Sequence, residues 1–228
     1  MAFTSHTFLF YFLPAFLLLY GLVPRRWPAV RNVVLLAAGY VFYAWADWWF
    51  AALLFGTTLV NYVLSRLIAA GRGESVRLLL TTCAIATELA VLGFFKYTAF
   101  VGENLNHRLL LAGRDGLPVL DILLPVGISF YTFKIVGYVV DVYRGRPPAR
   151  SLLDFACYVS FFPQLLSGPI QRYNTLDPKA EPMPTFADQL AAREHTLDKF
   201  SHGVALFVLG FAKKMHKLSG KLVLCEMS

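Results

Sequence analysis

Two ionisable residues stand deep in runs of sequence that are otherwise apolar: Glu88 ten residues into one, and Lys134 mid-way along another. A charge at membrane depth costs several kcal/mol unless it is paired or hydrated, so each marks a candidate functional position. Two readings stay open: a buried ion pair between them that fixes helix packing, or a polar route through the chain. Lys134 and Asp141 fall near one helix face, with Tyr131 and Tyr138 as a neighbouring stripe. Asp141, at the end of its run, is expected to pair with Arg144. Gln164, Ser167 and Arg172 flank a helix break set by Pro163, Gly168 and Pro169, where side chains and freed backbone groups can face a ligand or its phosphates. Arg172 reads equally as a membrane-edge anchor. Gly127 and Gly137 are candidates for close helix contact.

The five histidines, His6, His107, His195, His202 and His216, have no fitting partner in sequence, so none is expected to be a catalytic base. No nucleophile elbow, phosphate loop or zinc-protease motif occurs. Cys83, Cys157 and Cys225 lack metal-ligand spacing, and neither a disulfide framework nor a metal site is expected.

The elements that must position these residues are set by composition. Hydrophobic residues make up 57% of 228 and charged residues 15%, against roughly 45–50% and about 25% in soluble domains. This predicts an all-α, polytopic transmembrane protein embedded in a lipid bilayer. The net charge of +7 is not gathered on one face with stacking aromatics, so no nucleic-acid partner is expected.

Five spans are expected by Tyr143. Residues 7–23 form the first, kinked at Pro14. Residues 33–64 are too long for one span and adequate for two, with a turn at Trp45, Asp47, Trp48 and Trp49. Residues 78–95 and 120–143 complete the set. Arg25, Arg26 and Arg31, then Arg66, Arg72 and Arg77, then Arg144, Arg146 and Arg150 fall in every second connection. That alternation predicts cytoplasmic basic loops and an amino terminus outside. Residues 152–170 read as a broken or re-entrant element, since irregular backbone at membrane depth is tolerated only inside protein or along a wet cavity. A polar loop over 174–184, a surface amphipathic helix over 185–199 and a short apolar helix over 201–212, ending at Lys213 and Lys214, follow.

The stretches LLPVGISFYTFKIVGYVVDVYRG, SFFPQLLSGPIQRY and HTLDKFSHGVALFVLGFAKK resemble the amino-terminal half of the membrane-bound O-acyltransferase family. The opening FTSHTFLFYFLPAFLLLYGL and the segment GYVFYAWADWWF are similar to it as well. The resemblance covers residues 1–214; residues 215–228 are an atypical tail that departs from the family pattern. It implies an acetyltransferase of the bacterial inner membrane. Such a protein moves acetyl groups from a cytoplasmic donor, acetyl-CoA or another acyl thioester, to an exported polysaccharide, alginate in the first instance, with periplasmic acetylation proteins as partners. On this reading Glu88, Lys134, Gln164, Ser167 and Arg172 are donor-site or cavity candidates, although relatives carry an acidic or amide side chain where Lys134 stands. The family's histidine, in a Trp-His-Gly context, does not occur here, so the chain alone is expected to be inactive. A transporter or pore lined by Glu88 and Lys134, and a non-catalytic scaffold for acetylation proteins, are the alternatives.

Overall fold

The structure, a computed structural model, describes residues 5–24, 26–45, 48–111, 125–165, 171–174, 185–191 and 196–226, with backbone alone at 99–103, 105–111 and 215–226. Among these residues all regular structure is helical. The elements are α1 (Phe8–Leu22), α2 (Pro28–Ala44), α3 (Trp48–Ala70), α4 (Glu74–Leu111), α5 (Ile128–Tyr143), α6 (Leu152–Val159), α7 (Phe162–Leu165), α8 (Phe186–Ala191) and α9 (Leu197–Glu226).

Local chemistry explains most boundaries. Pro14 cannot donate to the carbonyl one turn back, and α1 meets this with a π-helical stretch over Phe8–Phe12 that widens the turn before the proline. Trp27 precedes α2, whose first residue is Pro28, where a missing N–H costs nothing. The turn expected around Trp45 falls between α2 and α3. Gly127 adopts φ 82° immediately before α5, a left-handed conformation that glycine takes without strain. Its backbone conformation serves the turn into α5. Gly137 has open space where a side chain would stand.

Several boundaries differ from expectation. The fourth apolar run continues as helix to Leu111, about 57 Å at 1.5 Å per residue, well past the expected end at Phe95. Helix formers such as Glu103 and Leu105 carry the helical pattern on, and no proline interrupts it. The fifth helix begins at Ile128, and residues 112–124 lie outside the described set. The last helix does not stop at Lys213 and Lys214; α9 runs to Glu226 because lysine is itself a good helix former and no proline follows. The helix expected over 185–199 is present as α8 and the start of α9, with 192–195 outside the described residues. The broken element is a genuine break: α6 ends at Val159, whose carbonyl would otherwise pair with the nitrogen of Pro163, and Pro163 is the second residue of α7. Ser167, Gly168 and Pro169 lie outside the described residues.

The helix exteriors are apolar. In the apolar windows of α3 and α4 only 33% and 22% of the residues are buried, and Phe55, Val63, Leu79 and Phe94 face outward. Such surfaces are unfavourable in water and suit hydrocarbon. With two helices of spanning length and shorter apolar ones beside them, this is a membrane protein.

Inside, Phe162 of α7 meets Phe12, Phe16 and Phe42 at ring-centroid distances of 5.5, 5.2 and 5.7 Å, joining α7 to α1 and α2. Basic connections gather at one end of the bundle. Arg31 at the start of α2 donates to the Val23 carbonyl at 3.1 and 2.8 Å. Arg77 at the start of α4 donates to the Tyr143 carbonyl at the end of α5.

Gly39 supplies the closest backbone approach: a side chain there would collide with the Ser160 carbonyl where α2 crosses the end of α6. Gly39→Val should therefore lower the unfolding temperature of the detergent-solubilised protein, at a cost of about 1–3 kcal/mol. Gly137→Ala, in open space, should leave it nearly unchanged; equal effects from the two would contradict this packing.

Candidate functional site

On α5 the side chains of Tyr131, Lys134, Tyr138 and Asp141 are all buried, as their shared face predicts. Lys134 is only 4% exposed. Its Nζ donates to Gln164 Oε1 at 3.2 Å, and Gln164 Nε2 donates onward to Gln171 Oε1 at 3.0 Å. Around the amine stand three rings, with centroids 4.4 Å away for Tyr158, 5.9 Å for Phe161 and 5.6 Å for Phe186. The negative ring faces supply the attraction that a carboxylate would otherwise supply. This cage draws on α5, α6, α7, α8 and the bend at Phe161, so the amine of α5 contacts both sides of the break.

Asp141 does not pair with Arg144. Its carboxylate faces inward and lies 3.8 Å from Arg172 Nη1, while Arg144 sits exposed just past the helix end. Arg144 and Arg146 still contribute positive potential at the carboxylate. Arg172 is thus tied to α5 and is 55% exposed.

Glu88 is not paired with Lys134 either. Glu88 Oε1 accepts from Asn61 Nδ2 at 2.6 Å, across α3 and α4. The reason is angular: Thr132 faces Glu88, and residues two apart on a helix point about 200° from one another, which turns Lys134 to the opposite side of α5. The sequence candidates therefore divide into two groups. Lys134 and Gln164 come together near the break, Arg172 reaches Asp141 two turns further along α5, and Glu88 stands apart among α3, α4 and α5.

A cavity of about 520 Å³ lies at the basic end, between the start of α2, the 147–154 connection and α8. Asn32, Arg150, Ser151, Asp154, Asn174 and Asp188 supply its polar walls. Asn32 Nδ2 donates to Asp154 Oδ1 at 3.3 Å, and Ser151 caps α6 by accepting from the Asp154 N–H at 3.1 Å. Tyr173 lines the cavity and packs edge-on against Tyr158 at 5.3 Å, so cavity and cage share a wall. Of the described sequence candidates, Glu88, Lys134, Pro163, Gln164 and Arg172, none lines it. Sequence reading missed Arg150 and Asn32 because neither interrupts an apolar run, and it missed Tyr158, Phe161 and Phe186 because aromatics are abundant throughout.

At the edge of the cavity, Asp188 accepts from the hydroxyl and backbone N–H of Thr185 at 2.7 and 3.1 Å, which hold its carboxyl below the usual carboxylate range. Because the folded value is depressed, this cap stabilises α8 above the ordinary carboxylate value near pH 4 and is lost as pH falls through the folded one. Amide exchange in α8 should therefore rise below about pH 4 in the native protein; in Asp188→Asn it should already be raised at neutral pH and show no such acid step.

Comparison with known proteins adds kinship. The chain is 45% identical over 218 residues to a probable alginate O-acetylase of Azotobacter vinelandii, covering 94% of this chain and 41% of that protein. It is 42% identical over 217 residues to a probable alginate O-acetylase of Pseudomonas aeruginosa, covering 94% and 39%. A peptidoglycan O-acetyltransferase of Helicobacter pylori is 29% identical over 238 aligned positions, covering 91% and 43%. The chain thus spans about two fifths of the length of the curated relatives it matches. No family model matches it. No solved structure matches it.

Proposed function

We propose that this chain, which belongs to the membrane-bound O-acyltransferase family, forms the donor-side walls and helix scaffold of an acetyl-transfer site serving an exported polysaccharide, alginate foremost. The observation that carries the reading is the 42–45% identity to probable alginate O-acetylases over 94% of the chain. The location is the bacterial inner membrane, crossed five times by Tyr143, with the amino terminus outside and the arginine-rich end in the cytoplasm.

In such a transfer an acceptor hydroxyl attacks the thioester carbonyl while a general base takes its proton. The C–O bond forms, the C–S bond breaks, and the thiol leaves with a proton. The base is the histidine of a Trp-His-Gly context, which is not among these residues. What these residues do is bind and orient. The cavity lies at the basic end with Arg150 on its wall, and Arg144 and Arg146 stand on the same connection. Guanidinium groups there suit the phosphates of acetyl-CoA, the proposed donor. The shared Tyr173–Tyr158 wall leads from the cavity to Lys134, Gln164 and Arg172, which hold the broken element in place beside the donor path. Periplasmic acetylation proteins and the polysaccharide would meet the site from the far side. Among the described residues no pair of broken helices in inverted repeats supports a transporter.

Two measurements test this. The purified 228-residue protein should bind radiolabelled acetyl-CoA, and Arg150→Ala should weaken binding about tenfold, the loss expected for one charge-assisted hydrogen bond. Undiminished binding in that variant would remove the cavity from the donor path. Membranes containing only this chain should not acetylate alginate; transfer by them would show that a base resides within these residues.

A further inference from the structure

Residues 171–174 contribute to the cavity wall without belonging to any helix. A segment with no backbone ladder of its own keeps one conformation only if its neighbours hold it, because ordering each residue costs conformational entropy. All four residues are held, and by different parts of the chain. The Gln171 carbonyl accepts from the Tyr158 hydroxyl of α6 at 2.9 Å, and Gln171 Oε1 accepts from Gln164 of α7 at 3.0 Å. Arg172 lies 3.8 Å from Asp141 of α5. The Tyr173 carbonyl accepts from the Ala187 N–H of α8 at 3.3 Å, and Asn174 Nδ2 donates to the Pro147 carbonyl at 3.1 Å.

These tethers fall into two sets. Tyr173 and Asn174, with Ala187 and Pro147 that hold them, line the cavity. Gln171, Tyr158 and Gln164 do not line it; they connect the segment to the lysine cage. The cage also sets the direction of the hydrogen bonds. The Lys134 amine donates to Gln164 Oε1 at 3.2 Å, which turns the Gln164 amide nitrogen the other way and requires residue 171 to offer an acceptor. Gln171 meets this with Oε1. Two residues later the Tyr173 ring, only 5% exposed, packs edge-on against Tyr138 and Tyr158 at 5.5 and 5.3 Å.

We propose that Gln171 is a positioning residue of the cavity: the accepting oxygen it presents to Gln164 fixes the register of residues 172–174 and so sets where Tyr173 and Asn174 stand in the wall. The consequence for donor affinity rests on the reading of this cavity as the acetyl-CoA site; the positioning itself does not.

The test uses the purified full chain in detergent at neutral pH and reads two quantities: exchange of the Ala187 amide, whose acceptor is the Tyr173 carbonyl, and the dissociation constant for radiolabelled acetyl-CoA. Gln171→Leu removes the acceptor and should speed that exchange and weaken acetyl-CoA binding, each about tenfold, with exchange in α3 and α4 unchanged. Gln171→Glu keeps an accepting oxygen and should recover most of both, which a role in packing alone does not predict. Should Gln171→Leu fail to fold, Tyr158→Phe, which loses only the hydroxyl on the Gln171 carbonyl, should move both quantities in the same direction. Wild-type protein that binds no acetyl-CoA would remove the donor reading, and exchange at Ala187 would then decide the positioning by itself. Unchanged exchange in Gln171→Leu, unchanged affinity where exchange has risen, or a Gln171→Glu variant as impaired as Gln171→Leu would overturn the inference.

Discussion

A lysine amine with almost no contact with water and, among the described residues, no carboxylate partner must be satisfied by whatever the fold brings to it, and the contacts that satisfy it join the broken element to the bundle. Lys134 finds one amide oxygen and three ring faces. Each cation–π contact contributes about 0.5–2 kcal/mol, more as water is excluded. The groups belong to segments 24 to 52 residues further along the chain, so satisfying the amine docks α6, α7 and α8 onto α5. Once docked, Tyr158 and Tyr173 form the wall between cage and cavity, and Arg172 reaches Asp141. The lysine cage and the cavity thus meet at one aromatic wall.

Hydrocarbon imposes the complementary rule that backbone polar groups be satisfied within the protein. The helices meet it internally, and many buried or lipid-facing hydroxyls turn back onto carbonyls three or four residues earlier. Thr58 donates to Leu54 at 2.6 Å, Thr81 to Arg77 at 2.8 Å and Ser160 to Ala156 at 2.7 Å. Arginines at the basic end do the same service for helix ends, donating to the free carbonyls of Val23 and Tyr143. Charge at that end therefore caps the bundle and also surrounds the cavity.

Apolar run length and charge alternation made the first four helices legible, because both are properties of a segment by itself. Helix ends were less so. Hydropathy reports where lipid begins and ends, whereas a helix stops where its backbone pattern fails. For this reason α4 continues to Leu111 and α9 past Lys214. Pro163 announced a break, and the break came one turn earlier, at the carbonyl its ring cannot pair with. Glu88 and Lys134 were visible as candidates, since a charge in an apolar run needs no partner to be noticed. Their partners were not visible. Asn61 and the cage rings carry no signal beyond being polar or aromatic, and Arg172 displaced Arg144 beside Asp141 only because the carboxylate points inward.

By itself the sequence pointed to an all-helical membrane protein that resembles the O-acyltransferases, with two ionisable residues deep in apolar runs, an interrupted element and basic connections at alternate turns. Those conclusions rest on solvent partition and local backbone sterics, which act residue by residue. Tertiary structure decided that Glu88 and Lys134 lie on opposite sides of α5, that aromatic rings surround the lysine, and that a cavity at the basic end shares a wall with that cage. These depend on the angular phase of one helix against its neighbours. That phase is set by packing between distant segments, such as Gly39 against Ser160.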